Sequence, residues 1–405
     1  MASIHPFRAL RPEPEAAPAV SSVPYDVVST EEARRLVAGN PVSFLHVTRS
    51  EIDLPPDADP YSAAVYAKAR ENLDTLRRTA PLVLDDEPAL YFYRLRMGPH
   101  EQTGVAGCFS VDEYEADVIK KHERTRRDKE DDRTRHIVAL RAQTGVVFLT
   151  YKAQASVDTI AQRATRGAPL FDFTAEDGVH HTIWRASRED SAAMVAAFAG
   201  IPALYIADGH HRAASAARAR AEVGGQADSS DAGTFIAVAF PDRQMQILPY
   251  HRLVKDLAGR TATEFLDELR KVANVSEGPA EPRRRGEVSV YLDRRWYAMD
   301  LSTTEPADSS HASSLDVALL QRNVLDRLLN IGDVRTDKRI DFVGGSRGTK
   351  ALEAALDSGK AAVAFSMYPV TIDDLMTISD AGGIMPPKST WFEPKLRDGL
   401  LVHLI

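Results

Sequence analysis

The chain has 405 residues and a formal net charge of −8, with 44% hydrophobic and 27% charged residues. That length exceeds one ordinary hydrophobic core and implies two or three subdomains, while the acidic balance argues against a whole-surface electrostatic grip on nucleic acid or anionic lipid. A single cysteine, Cys108 in the apolar run GVAGCF, excludes an intramolecular disulfide and a cysteine-built metal cage.

The opening MASIHPFRALRPEPEAAP places prolines and charges where a signal peptide needs an apolar stretch, and no segment approaches the ~18 apolar residues of a membrane span. A soluble cytoplasmic protein is expected. Residues 41–49, PVSFLHVTR, and 89–97, ALYFYRLRM, read as strands on either side of the helix-like YSAAVYAKARENLDTLRRT, a β-α-β opening. TGVAGCFSV reads as a strand leading into DEYEADVIKKHERTRRDKEDDRTRHIVALRAQ, which has few breakers and the pattern of one long helix, and VVFLTY follows as a strand after Gly145. FDFTAEDGVHHTIWRA reads as a hairpin turning at Asp177-Gly178, with His180 and His181 on its rim, and DSAAMVAAFAG as a helix.

ALYIA then forms a strand that runs through DGHHR into an alanine-rich helix. GGQADSSDAG reads as a surface linker, and TFIAVAFP and MQILPYHRLV as closing strands. Beyond Lys255 come a helix, TATEFLDELRKV, a hairpin, EVSVYLDRRWYAMDLS, and the link PADSSHASS. The last stretch holds the helix LDVALLQRNVLDRLLNI, the loop DVRTDKRIDFVGGSRG, another helix, the strand AAVAFSM and the tail GGIMPPKSTWFEPKLRDG. We divide the chain into a core over 1–255, an accessory α+β unit over 256–312 and a C-terminal α/β portion over 313–405 that packs back on the core. The class is α/β with a mixed sheet.

Chemistry concentrates at the joint Asp208-Gly209-His210-His211-Arg212. The first amides of a helix lack intrahelical partners and carry the positive end of its dipole, so anions bind there. Gly209 permits close backbone approach or positive φ, Arg212 offers a bidentate fork for phosphate, and His211 and His210 can donate hydrogen bonds or move protons near neutral pH. Asp208 can cap the helix, hold a metal ion or act as a base. A plain helix cap would need one polar residue, whereas this joint supplies four around a glycine. Adjacent histidines on a helix point about 100° apart, which disfavours zinc.

Two further candidates stand beside the joint. On the long charged helix His122, Arg126, Lys129, Arg133 and His136 fall at offsets 0, 4, 7, 11 and 14, on one face. This is either a solvated ion-pair face or a cationic stripe turned toward the phosphates, with Glu123 placed for Mg²⁺ or an acceptor hydroxyl. The tail GGIMPPKSTWFEPK resembles a P-loop superficially, yet Pro387 stands where glycine is needed and no helix follows. Lys388, Ser389, Thr390 and Lys395 can line an anion site there, or the tail can serve only as a strap packing Trp391 and Phe392.

The strand followed by ADGHHRAASAAR resembles the signature joint of the ParB/sulfiredoxin superfamily. More closely, IHPFRALRP, VPYDVVS, KKHERTRRDKEDDR, YIADGHHR and GGIMPPKSTWFEPKL together resemble the family of domain of unknown function 1015, over nearly the whole chain. The superfamily includes free-serine kinases, sulfiredoxins and nucleotide-binding partition proteins, so the resemblance implies phosphate handling and leaves the reaction open. Sulfinic acid reduction needs a cysteine beside the turn, and Cys108 lies in a different segment. The expected activity is phosphoryl transfer from ATP or pyrophosphate, with Mg²⁺, to free L-serine or a similar hydroxylated metabolite. In that scheme Asp208, His210 and Glu123 are catalytic, Asp208 is also the metal ligand, and Gly209, His211, Arg212, Arg126, Lys129, Arg133, Lys388, Ser389 and Thr390 hold phosphate. The alternatives are a nucleotide-binding or nucleic-acid-associated regulator without turnover, and a phosphoesterase.

Overall fold

A computed structural model describes residues 1–79, 82–224 and 230–405. The chain forms two units: one comprises Met1–Met245 together with Pro394–Ile405, the other Gln246–Glu393. Of the linker read from GGQADSSDAG, residues 225–229 fall outside the described residues; Gly224 caps the preceding helix and Ser230–Gly233 form a short 3-10 turn.

The first unit is built on an eight-stranded mixed sheet: β1 (Tyr91–Met97), β2 (His100–Ser110), β3 (Ile119–Lys120), β4 (Val147–Tyr151), β5 (Phe171–Thr174), β6 (His180–Arg185), β7 (Leu204–Asp208) and β8 (Thr234–Pro241), in spatial order β3-β7-β4-β8-β2-β1-β6-β5. β8 pairs parallel with β4 and antiparallel with β2, and Phe235 through Pro241 are all buried. A strand covered on both faces reads as an unbroken apolar run, which is why TFIAVAFP contains no charge. Phe109, Phe198, Phe235 and Leu149 lie in the core on this sheet. The β5–β6 hairpin turns at Gly178 with φ +80°, as its Asp-Gly pair predicts.

Two expectations fail here. PVSFLHVTR is not a strand: it turns into a short helix, Leu45–Thr48, with the fully buried Phe44 held by its N–H to the Val20 carbonyl, so the β-α-β opening does not exist. The charged run after β2 is not one helix either. It breaks at Asp117, in the left-handed conformation with φ 60°, and Ile119–Lys120 leave as the edge strand β3, parallel to Leu204–Tyr205 of β7. A short helix, Val111–Glu115, precedes the break, and Arg127–Leu140 is the helix that follows it. Pairing on a sheet edge outweighs the weak helix preference of the polar residues between.

The long helix α1 (Ala63–Thr79), the Arg127–Leu140 helix α2 and the His210–Val223 helix α3 are as the sequence indicates in type. A small antiparallel sheet joins both chain ends: Leu82–Leu84, Ala9–Pro12, Val402–Leu404 and Ala142–Gln143, in that order.

In the second unit six antiparallel strands run β10-β12-β11-β14-β9-β13: β9 (Tyr250–Val254), β10 (Asn274–Glu277), β11 (Glu287–Leu292), β12 (Arg295–Asp300), β13 (Ile340–Gly344) and β14 (Val363–Ser366). β9, read as closing the first core, is interior to this sheet, and β11 pairs with β14. The segments 256–312 and 313–393 therefore share one core, with Phe265, Val290, Leu320 and Phe365 in a single cluster. β13 lies inside the stretch read as a loop. Among the described residues no helix is long and apolar enough to cross a membrane.

The C-terminal segment enters the first unit through a backbone pair, Ser22 with Asp398, and then Gly399 at φ +87°. A Cβ on Gly399 would lie 2.6 Å from the Phe44 side chain, and Phe44 is fully buried. Gly399→Ala should therefore cost about 2 kcal/mol or more, from left-handed strain and overpacking together. Urea midpoints of wild type and variant measure this, and an unchanged midpoint would contradict the tight seat.

Candidate functional site

β7 delivers its last residue, Asp208, past a register shift between Ile206 and Asp208 opposite β4. Gly209 then takes φ 92°, which favours glycine, and a Cβ there would crowd the Arg212 Cδ at 3.3 Å while touching the Val147 Cα at 3.4 Å. Helix α3 opens on this residue without a side-chain cap, its first turn closed by N–H groups of Arg212 and Ala213 donating to the Gly209 carbonyl. A helix start of this kind presents its dipole to an incoming anion.

The Asp208 carboxylate accepts from its neighbour's amide, Gly209 N–H to Oδ1 at 2.8 Å, and from the Lys395 ammonium, Nζ to Oδ2 at 2.7 Å. Burial alone would raise its pKa, but Lys395 and Arg212 hold it well below the usual carboxylate range. Lys395 thus reaches the joint from the returning segment 394–405. As a metal ligand, Asp208 would have to exchange the lysine. Among the described residues no group of three or more His, Cys, Asp or Glu side chains could by itself hold a metal ion.

Arg212 is 7% exposed and does not offer its fork outward. One terminal nitrogen donates to the Val146 carbonyl at 2.7 Å, the other to Asp26 Oδ1 at 2.8 Å, and buried Nε has no partner. Burial opposes its charge, and Asp26, Asp398 and Asp208 more than offset that. Tyr25 lies under it with the ring centroid 5.5 Å away, and under Arg133 at 4.3 Å. Tyr25, Arg133, His136, Gly145 and Arg212 are among the residues lining a small cavity of about 30 Å³. Asp398, 1% exposed, keeps one carboxylate oxygen unpartnered, and burial together with Asp26 pushes its pKa up to about 7 against the pull of Arg212.

The histidines are neutral donors and acceptors. His210, 4% exposed, accepts at Nε2 from the His122 N–H at 3.4 Å and stands edge-on to the His122 ring at 4.4 Å. Its proton therefore sits on Nδ1, 3.8 Å from the Glu123 carboxylate. His211 accepts at Nε2 from the Arg126 N–H at 3.0 Å. Burial pulls His122 down to about 4 and places His210 well below its ordinary value, with His211 lowered for the same reason.

The cationic stripe does not exist as one helix face. His122 and Arg126 precede α2, and the side chain of Arg126 pairs with Asp128 while 62% exposed. Lys129 donates to the Tyr61 hydroxyl at 2.8 Å. Arg133 turns inward, pairing with Asp132 at 2.7 Å and donating to the Thr48 carbonyl. His136 is buried, its Nε2 3.0 Å from the Val47 carbonyl. So the joint gathers Glu123, the Arg126 backbone, His210, His211 and Lys395. Lys388, Ser389 and Thr390 belong to the second unit, where the Lys388 carbonyl accepts from Arg252 at 3.0 Å and the Ser389 hydroxyl donates to the Pro386 carbonyl.

Tyr25, Asp26 and Asp398 were missed as site residues. The first two stand in VPYDVVS, a run noticed only for its family likeness, and nothing in the spacing links residue 26 to 212 or 398.

No curated protein matches this chain. Among solved structures, a conserved hypothetical protein from Pyrococcus furiosus shares 14% identity at a TM-score of 0.37, covering 74% of this chain and 95% of its own. A free serine kinase in complex with AMP shares 12% at 0.38, covering 74% and 91%. SbnI with C-terminal truncation from Staphylococcus aureus shares 12% at 0.40, covering 74% and 87%. Over residues 4–318 the sequence matches the family described as Protein of unknown function (DUF1015), and the chain belongs to that family.

Proposed function

We propose that the joint at 208–212 is the phosphate seat of a small-molecule kinase, which passes a phosphoryl group from ATP or pyrophosphate to free L-serine or a similar hydroxylated metabolite. The observation that carries this reading is the start of α3: a left-handed glycine, no side-chain cap, and the Lys395 ammonium 2.7 Å from Asp208. Catalysis of phosphoryl transfer is mostly positioning and charge neutralisation, which helix amides and a lysine ammonium provide without a covalent nucleophile.

In this reading Lys395 leaves Asp208 for the incoming phosphate. Arg212 fixes the seat from beneath, because its terminal nitrogens already hold Asp26 and the Val146 carbonyl. His210, neutral and with its proton toward Glu123, orients that carboxylate to accept the acceptor hydroxyl's proton. Mg²⁺ takes most of its ligands from water and phosphate and needs only one or two carboxylates, so Asp208, once free of Lys395, would be its protein ligand while Glu123 serves as the base. When bound, it would neutralise charge on the phosphates.

Incubated with L-serine and either ATP or pyrophosphate, the wild-type protein should form phosphoserine detectable by mass spectrometry. Lys395→Ala and the near-isosteric Asp208→Asn should each lower the rate by about 10²- to 10³-fold, the scale of losing one preorganised electrostatic partner. Tight nucleotide binding with no product across a panel of hydroxyl acceptors would instead identify a regulator.

The buried histidines also set an acid limit. Folded His122 and His136 titrate at about 4, below the 6.5 of an exposed imidazole. Their contribution to stability is whole above pH 6.5 and is lost as the pH falls through about 4, at about 1.4 kcal/mol per pH unit for each histidine. Asp398 and Asp316, both raised, run the other way, but the buried histidines with lowered values, His122, His136, His181, His210 and His251, outnumber them. Urea unfolding should show a lower midpoint at pH 5 than at pH 7.5, and equal midpoints would contradict the neutral, buried assignment.

A further inference from the structure

The second unit carries a buried charge that no acid balances. Arg252, at the middle of β9, is 3% exposed. Its terminal nitrogens donate to the backbone carbonyls of Tyr250 and Lys388, and its guanidinium lies over the Phe342 ring at 5.6 Å. Burial lowers its pKa to about 10, and among the described residues only Tyr250 acts against that; no carboxylate contributes. Other arginines of the same unit are answered: Arg285 by Asp374 at 2.9 Å and Arg283 by Glu287 at 2.9 Å. Removing a cation from water without a counter-charge is costly, so an uncompensated guanidinium on an interior strand calls for an occupant.

The surroundings give that occupant a shape. Trp391 packs against Gly344, where a Cβ would come within 2.5 Å of the indole, and stands edge-on to Tyr250 at 5.0 Å. Tyr250 meets Phe342 at 5.8 Å. Lys388 is exposed, holds φ 57°, and places its ammonium 5.5 Å from the Tyr250 ring centroid. A lysine in the left-handed region is strained, and here the Arg252 hydrogen bond to its carbonyl and the preceding Pro386-Pro387 pair hold it there. The two cations therefore lie over adjoining rings of one aromatic cluster, Arg252 over Phe342 and Lys388 over Tyr250.

We propose that Arg252 and Lys388 form an anion site within the second unit, taking inorganic phosphate or a phosphomonoester dianion above Tyr250. A dianion balances both cations, whereas a monocarboxylate balances one. The proposal is independent of the kinase reading, since every residue in it lies in 246–393.

The test is thermal melting of the full chain across a phosphate series, with sodium chloride holding ionic strength constant. Wild type should show a saturating rise in Tm with phosphate and none with acetate. Lys388→Ala, at an exposed position, should melt as wild type without phosphate and need at least about tenfold more of it, the loss of one charge-assisted partner. In the Lys395→Ala background, which weakens the proposed seat at the start of α3, Arg252→Met should abolish the response and melt at or above the temperature of that background in phosphate-free buffer, because the unbalanced charge is gone. Lys395→Ala, in the other unit, should retain it. The proposal is overturned if wild type shows no saturating shift, if acetate gives an equal one, if Lys388→Ala responds as wild type does, or if Lys395→Ala alone removes the response. It is equally overturned if Arg252→Met lowers Tm by the same amount with and without phosphate, which is the behaviour of a loop clamp.

Discussion

Arg212 lies beneath the first turn of α3, and its charge is answered from three separate stretches of chain. Asp26 comes from the N-terminal segment, the Val146 carbonyl from the entrance to β4, and Asp398 acts on it from the returning C-terminal segment. Removing one partner of a buried charge leaves the other uncompensated, a larger loss than the pair's own net worth. The geometry of the joint therefore depends on chain ends far away in sequence. Gly209 can hold its left-handed conformation against Val147 because Arg212 keeps the helix start pressed onto β4.

That arrangement separates two tasks that the sequence places side by side. The arginines most suggestive of phosphate binding, Arg212 and Arg133, are structural: each is engaged by a carboxylate, a backbone carbonyl and the ring of Tyr25. The groups left for an anion are the uncapped start of α3 and a lysine held by a carboxylate it can exchange. Neutral histidines add donors without adding repulsion toward a metal ion or an acceptor.

Local features were legible where one stretch of chain decides them. The Asp177-Gly178 hairpin, α1, and the strand-to-helix change at Asp208 all follow from turn chemistry and periodicity. What was not legible depends on partners distant in sequence. The charged run 112–143 is helix-like throughout, yet Ile119–Lys120 pair with β7 instead. β9 reads as the end of the first core, yet its partners are Val363–Ser366 and Ile340–Gly344. The sequence singled out all four polar residues of the joint, but not that Lys395 would lie against Asp208 or that Asp26 would hold Arg212.

The central claim is that phosphate binds at the start of α3, and the most direct measurement is a crystal structure with a non-hydrolysable ATP analogue bound. The account predicts phosphate oxygens within hydrogen-bond reach of the backbone at 209–212, with the Lys395 ammonium moved from Asp208 onto them. A well-ordered analogue bound elsewhere, with Lys395 still on Asp208 and the helix start empty, would contradict it.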